Sequence, residues 1–101
     1  MFLTKELHKA LRDADPHNMR PIVKFFNPCG AATWLITYLE EDEDTFWGYC
    51  DLGFGQVEYG TVSKSEMQSV KLPFGLCIER DYHFHDDPSI NWLEKDSLAG
   101  C

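Results

Sequence analysis

Leu3, Leu7, Ala10 and Leu11 recur at helical spacing, with Thr4 placed to cap them. This pattern predicts a helix over residues 5–14, and Pro16 forbids its continuation. The period then falls to two. IVKFF (22–26) reads as a first strand and NPCGA (27–31) as a turn. ATWLITYLE (32–40) reads as a second strand, with Trp34, Ile36 and Tyr38 on one face and Leu35 and Leu39 on the other. Apolar groups on both faces predict a central strand covered on both sides.

The polar segment EEDEDT (40–45) separates this strand from FWGYCDL (46–52), as in an antiparallel hairpin. VEYGTVS (57–63) forms a fourth strand, joined through Gly53, Phe54 and Gly55. Ser63 and Glu66 have capping-box spacing, which predicts a short helix over 64–70. Pro73 and Gly75 break the chain. LCIERDYHF (76–84) alternates as a fifth strand, with Ile78, Arg80, Tyr82 and Phe84 opposite Glu79, Asp81, His83 and His85. DDPSINWLEK (86–95) has Asp87 and Pro88 arranged to start a C-terminal helix. The expected fold is α+β: one domain over residues 1–101, with a mainly antiparallel sheet of about five strands. An N-terminal helix, a short helix before the last strand and a C-terminal helix complete it.

Composition supports a folded chain. Of 101 residues, 44% are hydrophobic and 14% aromatic, which argues against disorder. No apolar run approaches the roughly 20 residues of a membrane span. The N-terminal residues lack the apolar stretch of a secretion signal, so a cytoplasmic protein without membrane contact is expected. Cys29, Cys50, Cys77 and Cys101 are widely spaced and form no C-x-x-C pair; buried free thiols are expected. The net charge of −8 disfavours direct nucleic-acid binding, which needs cations to displace counterions, and favours a basic partner.

The segment CDLGFGQVEYGTVS (50–63) contains three glycines near two acids. A phosphate-binding loop needs glycines leading into a helix N-terminus, and these lead into a strand. Gly53 and Gly55 are therefore expected to supply positive φ in a strand-to-strand turn. Gly60, inside a strand, is expected to mark a bulge or a close backbone approach.

Asp51, Glu58, Glu79, Asp81, His83 and His85 are candidates for a carboxylate–imidazole cluster. Asp51, Glu58, Asp81 and His83 would carry acid–base chemistry, and His83 and His85 would supply metal ligands on one strand face. Against this stands a solvated sheet face with ordinary alternation. Lys24 and Arg80 interrupt apolar faces and are expected to pair with Asp51 or Glu58. Alternatively they hold an anion on which Trp34, Trp47 or Tyr49 stacks. No nucleophile motif is present, and no cofactor is expected.

PIVKFFNP, ATWLITYLE, WGYCDLGFGQVEYGTVS and ERDYHF, taken in order, resemble the uncharacterised-domain family numbered 2958 over residues 3–85. The family pattern has a proline where this chain has Val57. The resemblance implies a mobile-element accessory protein of plasmids, integrated elements or phages, acting inside a bacterial cell. It implies no chemistry.

In that setting the five consecutive carboxylates Glu40, Glu41, Asp42, Glu43 and Asp44, with neighbouring Trp47, form a candidate partner-binding surface. Asp13, Asp15, Asp86 and Asp87 extend it if they lie on the same side. Such a run also suits a solvated hairpin tip. The leading expectation is a non-enzymatic protein that blocks a protein partner, such as a nucleic-acid-handling defence complex with a basic groove, in anti-CRISPR or anti-restriction fashion. The second is a small metal-dependent or nucleotide-processing enzyme using Asp51, Glu58, Asp81 and His83. A regulatory or plasmid-maintenance factor is the third.

Overall fold

The computed structural model describes residues 2–84. Helix α1 covers Lys5–Asp13 and begins where expected: Leu7 N donates to Thr4 Oγ1 at 3.1 Å. It ends at Ala14, before Pro16. Leu11 is fully buried, and Leu3 and Leu7 pack beside it.

Four antiparallel strands follow as a meander: β1 (Val23–Phe26), β2 (Thr33–Leu39), β3 (Thr45–Asp51) and β4 (Val57–Ser63). Helix α2 (Lys64–Ser69) starts on the predicted cap, where Glu66 N donates to Ser63 Oγ at 3.2 Å. The chain then crosses the sheet through a short 3-10 turn at Pro73–Gly75. It ends its ladder in β5 (Glu79–Arg80), antiparallel to β1. The strand order is β4-β3-β2-β1-β5. Gly53 (φ 92°) and Gly55 (φ 83°) adopt the positive φ expected of the β3–β4 turn.

One face of the sheet packs against both helices. Val23, Phe25, Ile36, Leu39 and Phe46 meet Leu11 of α1, Met67 of α2 and Ile78. Burial of each large side chain here contributes about 1.5–3 kcal/mol. On the opposite face Leu35 and Tyr49 are buried beneath Met19, Val57, Tyr59 and Phe84. The central strand is thus covered on both sides, as the apolar pattern of residues 32–40 implies.

The faces of β2 differ from simple alternation. Ile36 pairs with Gly48 and Tyr38 with Trp47, which leaves Thr37 as an extra residue in a β-bulge. Beyond the bulge the faces exchange, so Leu39 joins Ile36 on the helix side instead of Leu35. Thr37 is completely buried and Thr37 Oγ1 donates to Trp47 O at 3.2 Å. The same hydroxyl lies 2.7 Å from the Tyr59 hydroxyl.

The predicted fifth strand also needs correction. Its ladder stops at Arg80. Asp81 then turns the chain: its Oδ1 accepts from His83 N at 2.8 Å, and Phe84 folds back towards Leu35 and Tyr49. His83 therefore leaves the strand. His85, Asp86, Asp87, Cys101 and the predicted C-terminal helix lie outside the described residues. The thiols differ from expectation as well. Cys29 and Cys77 are free but exposed, and Cys50 is half-buried.

Candidate functional site

The acidic run forms a short turn between β2 and β3. Glu40 N donates to Thr45 O at 2.9 Å, and Glu43 N to Glu40 O at 2.9 Å. Three of its five carboxylates hold the local structure. Asp42 accepts from Asp44 N, Thr45 N and Thr45 Oγ1. Asp44 accepts from Ser63 Oγ at 2.7 Å and Ser65 N at 2.9 Å, tying the turn to the start of α2. Glu40 accepts from the indole N–H of Trp47 at 2.9 Å. Glu43 (φ 59°) lies 3.2 Å from His8 of α1, and Glu41 is exposed. The Thr45 hydroxyl and N–H hold the Asp42 carboxyl below its ordinary value, and the Ser63 hydroxyl and Ser65 do the same for Asp44.

The carboxylates and imidazole proposed for catalysis are spread over the molecule. Asp51 sits opposite Val57, whereas Glu58 sits opposite Cys50. Neighbouring positions on a strand point to opposite faces, so Asp51 and Glu58 lie on different sides of the sheet. Asp81 follows β5 at the far edge, four strand spacings and about 19 Å from β4. His83 is exposed in the turn beyond it. Among the described residues no group of three or more His, Cys, Asp or Glu is placed to hold a metal.

Lys24 and Arg80 have partners beyond those expected. Lys24 Nζ lies 3.8 Å from Asp81 Oδ2, and Lys24 O accepts from Asp81 N. Arg80 Nε donates to Phe2 O at 3.2 Å, and its guanidinium stands 4.5 Å above the Tyr82 ring. Trp47 and Tyr49 both pack on Tyr59, with ring centroids 6.1 and 5.0 Å away.

Two surface aromatics were not singled out by sequence pattern. Phe54, at the β3–β4 turn, is 86% exposed, and Phe74 is 96% exposed. Phe74 also holds a left-handed backbone (φ 62°, ψ 25°) in a turn closed by a Leu72 N–Leu76 O bond of 3.0 Å. The flanking Pro73 and Gly75 signal a turn, but not the projecting ring.

A cleft of about 230 Å³ opens on the helix-side face at β3 and β4. Its floor is a cross-strand pair of glycines, Gly48 and Gly60. Trp34, Cys50 and Glu58 border it on one side and Val62 on the other. Burial raises the pKa of the Cys50 thiol, with Glu58 and Asp51 adding to the effect and the Trp34 indole opposing it. The close approach expected at Gly60 occurs at Gly48, where an added Cβ would lie 2.2 Å from Leu35 O. A Cβ at Gly60 would meet nothing within 4 Å. The register through Gly60 is regular, and the bulge lies on β2.

Among the described residues no helix is long and apolar enough to cross a membrane. A family model described as a protein of unknown function (DUF2958) matches residues 2–101, and the chain belongs to that family. No curated protein and no solved structure matches the chain.

Proposed function

We propose that this member of DUF2958 is a binding protein that occupies a positively charged groove on a nucleic-acid-handling protein complex and blocks it sterically. The fixed acidic turn is the observation that carries this reading. Hydrogen bonds fix the Asp42 and Asp44 carboxylates in place and tie the turn to α2. A charged surface that is already ordered loses little conformational freedom on docking. Trp47 lies beside this turn through Glu40, and the net charge of −8 would speed encounter with a basic surface.

The setting we propose is a mobile genetic element, with the protein acting in the bacterial cytoplasm against a CRISPR or restriction complex. The enzyme alternative draws no support from Asp51, Glu58, Asp81 and His83, which lie on different faces and opposite edges of the sheet. Capture of the tagged full chain's partners from bacterial lysate, at low and high salt, tests the proposal. The double variant Glu41→Gln/Glu43→Gln removes charge while leaving the aspartates that hold the turn. We expect a nucleic-acid-handling complex whose recovery falls at high salt and in the variant. Recovery that ignores both changes would remove the acidic surface from the account.

A further inference from the structure

Strand β4 is a sheet edge of seven residues, and among the described residues no strand pairs with its outer side. Every second residue of such an edge turns its N–H and C=O away from the sheet, ready to pair with an added strand. The helix-side face at this edge has three cross-strand rows. Trp34, Cys50 and Glu58 form one row, Ile36, Gly48 and Gly60 the next, and Leu39, Phe46 and Val62 the third. The middle row lacks side chains on its last two strands, which opens the cleft.

The two glycines have different causes. Gly48 is required because the β2 backbone lies against it. Gly60 has open space above it and no positive φ, so neither packing nor conformation requires glycine there. Glycine within a strand is less favourable than alanine, because it loses more backbone freedom on folding and packs no side chain. A bulky side chain from a neighbouring strand can cover such a glycine and recover the lost packing.

We propose that the outer edge of β4 is a docking site for an extended segment of a partner protein, which adds to the sheet as a further antiparallel strand. The partner residue opposite Gly60 is a large aromatic whose ring fills the cleft between Trp34 and Val62. On the same face, the residue opposite Val62 is aliphatic and the residue opposite Glu58 is lysine or arginine. The recognised segment therefore reads aliphatic, any, aromatic, any, basic. Charge selects this partner over a second copy of the chain, because Glu58 is exposed and two copies would each bring a net charge of −8. Pairing of β4 with itself about Gly60 would also place glycine on glycine and leave the cleft unfilled. The site stands whether or not the acidic turn engages a basic groove.

The test uses the isotope-labelled full chain and a short synthetic strand in which valine, tryptophan and lysine alternate, in that order, with threonine. We expect amide shifts concentrated on residues 57–63 and slowed hydrogen exchange at the outward-facing β4 amides, which make no bond to β3. Replacing the peptide's tryptophan with alanine should weaken binding about tenfold or more, as for loss of an anchoring aromatic. Gly60→Val should cause a similar loss by filling the cleft, and Glu58→Lys should weaken the lysine-bearing peptide while sparing one with glutamate in its place. Three results would overturn the proposal. The peptide leaves the β4 amides unmoved, or binds equally well without its tryptophan and to Gly60→Val. Alternatively, the outward-facing β4 amides, which make no bond to β3, are already protected without peptide: protection that rises with protein concentration assigns the edge to a second copy, and protection at high dilution assigns it to the chain's own remaining residues.

Discussion

Asp44 holds Ser63 at the end of the neighbouring strand: the carboxylate that closes the β2–β3 turn accepts from the hydroxyl that caps α2, at 2.7 Å. Asp44 O also accepts from Lys64 N at 2.7 Å, so this residue joins two segments far apart in sequence. Asp44→Ala should lower the melting temperature and increase hydrogen exchange in both the turn and α2. A change confined to the turn would separate the two. The same contact sets an acid limb. Asp42 and Asp44 have folded-state pKa values below the ordinary 3.8, so their contribution is present above that value. It is lost as pH falls through the depressed folded values. Denaturation curves across this range should show a shallower acid loss in the double variant Asp42→Asn/Asp44→Asn.

Gly48 and Gly60 face each other across β3 and β4, yet they should respond oppositely to alanine. Gly48→Ala places a methyl against Leu35 O and should destabilise by about 3 kcal/mol or more. Gly60→Ala meets open space and should stabilise by roughly 0.5–1 kcal/mol. Denaturant unfolding of the two variants measures the difference.

Thr37 fixes the bulge on β2 through Trp47 O and the Tyr59 hydroxyl. Thr37→Val keeps the shape and removes the hydroxyl, at a cost of about 1–3 kcal/mol because the buried partners lose a hydrogen bond. A double-mutant cycle with Tyr59→Phe should show coupling between the two positions.

Phe74 pays for a left-handed backbone without burying its ring. Phe74→Gly should stabilise the chain by about 1 kcal/mol, the usual penalty for a side chain in that region. If the ring is a contact residue, the same variant should weaken capture of the partner while it raises the melting temperature. A variant that gains stability and keeps full capture would make the ring's exposure incidental to binding.

Much of the fold was legible in the sequence, because period and caps are local signals. The stripe of Leu3, Leu7 and Leu11, the Thr4 and Ser63 caps and the four-strand meander are all present. Leu39 lies on the face opposite to the one alternation predicts, because a bulge adds one residue without altering composition and every side chain beyond it changes sides. The alternation of residues 76–84 was misleading for a different reason. Asp81 can cap its own turn, and that local bond ends the strand after Arg80. The acidic run was visible, but the use of Asp44 by Ser63 and Ser65 depends on β3 and β4 coming together. The cleft was hidden because Gly48 and Gly60 meet only once the strands are in register.

The most direct measurement of the central claim is a competition between this protein and nucleic acid for the captured complex. The complex is loaded with its nucleic acid, and the full chain is added in increasing amounts. The account predicts mutually exclusive binding, with displacement weakened by Glu41→Gln/Glu43→Gln and by added salt. A stable assembly holding both nucleic acid and this protein would contradict it.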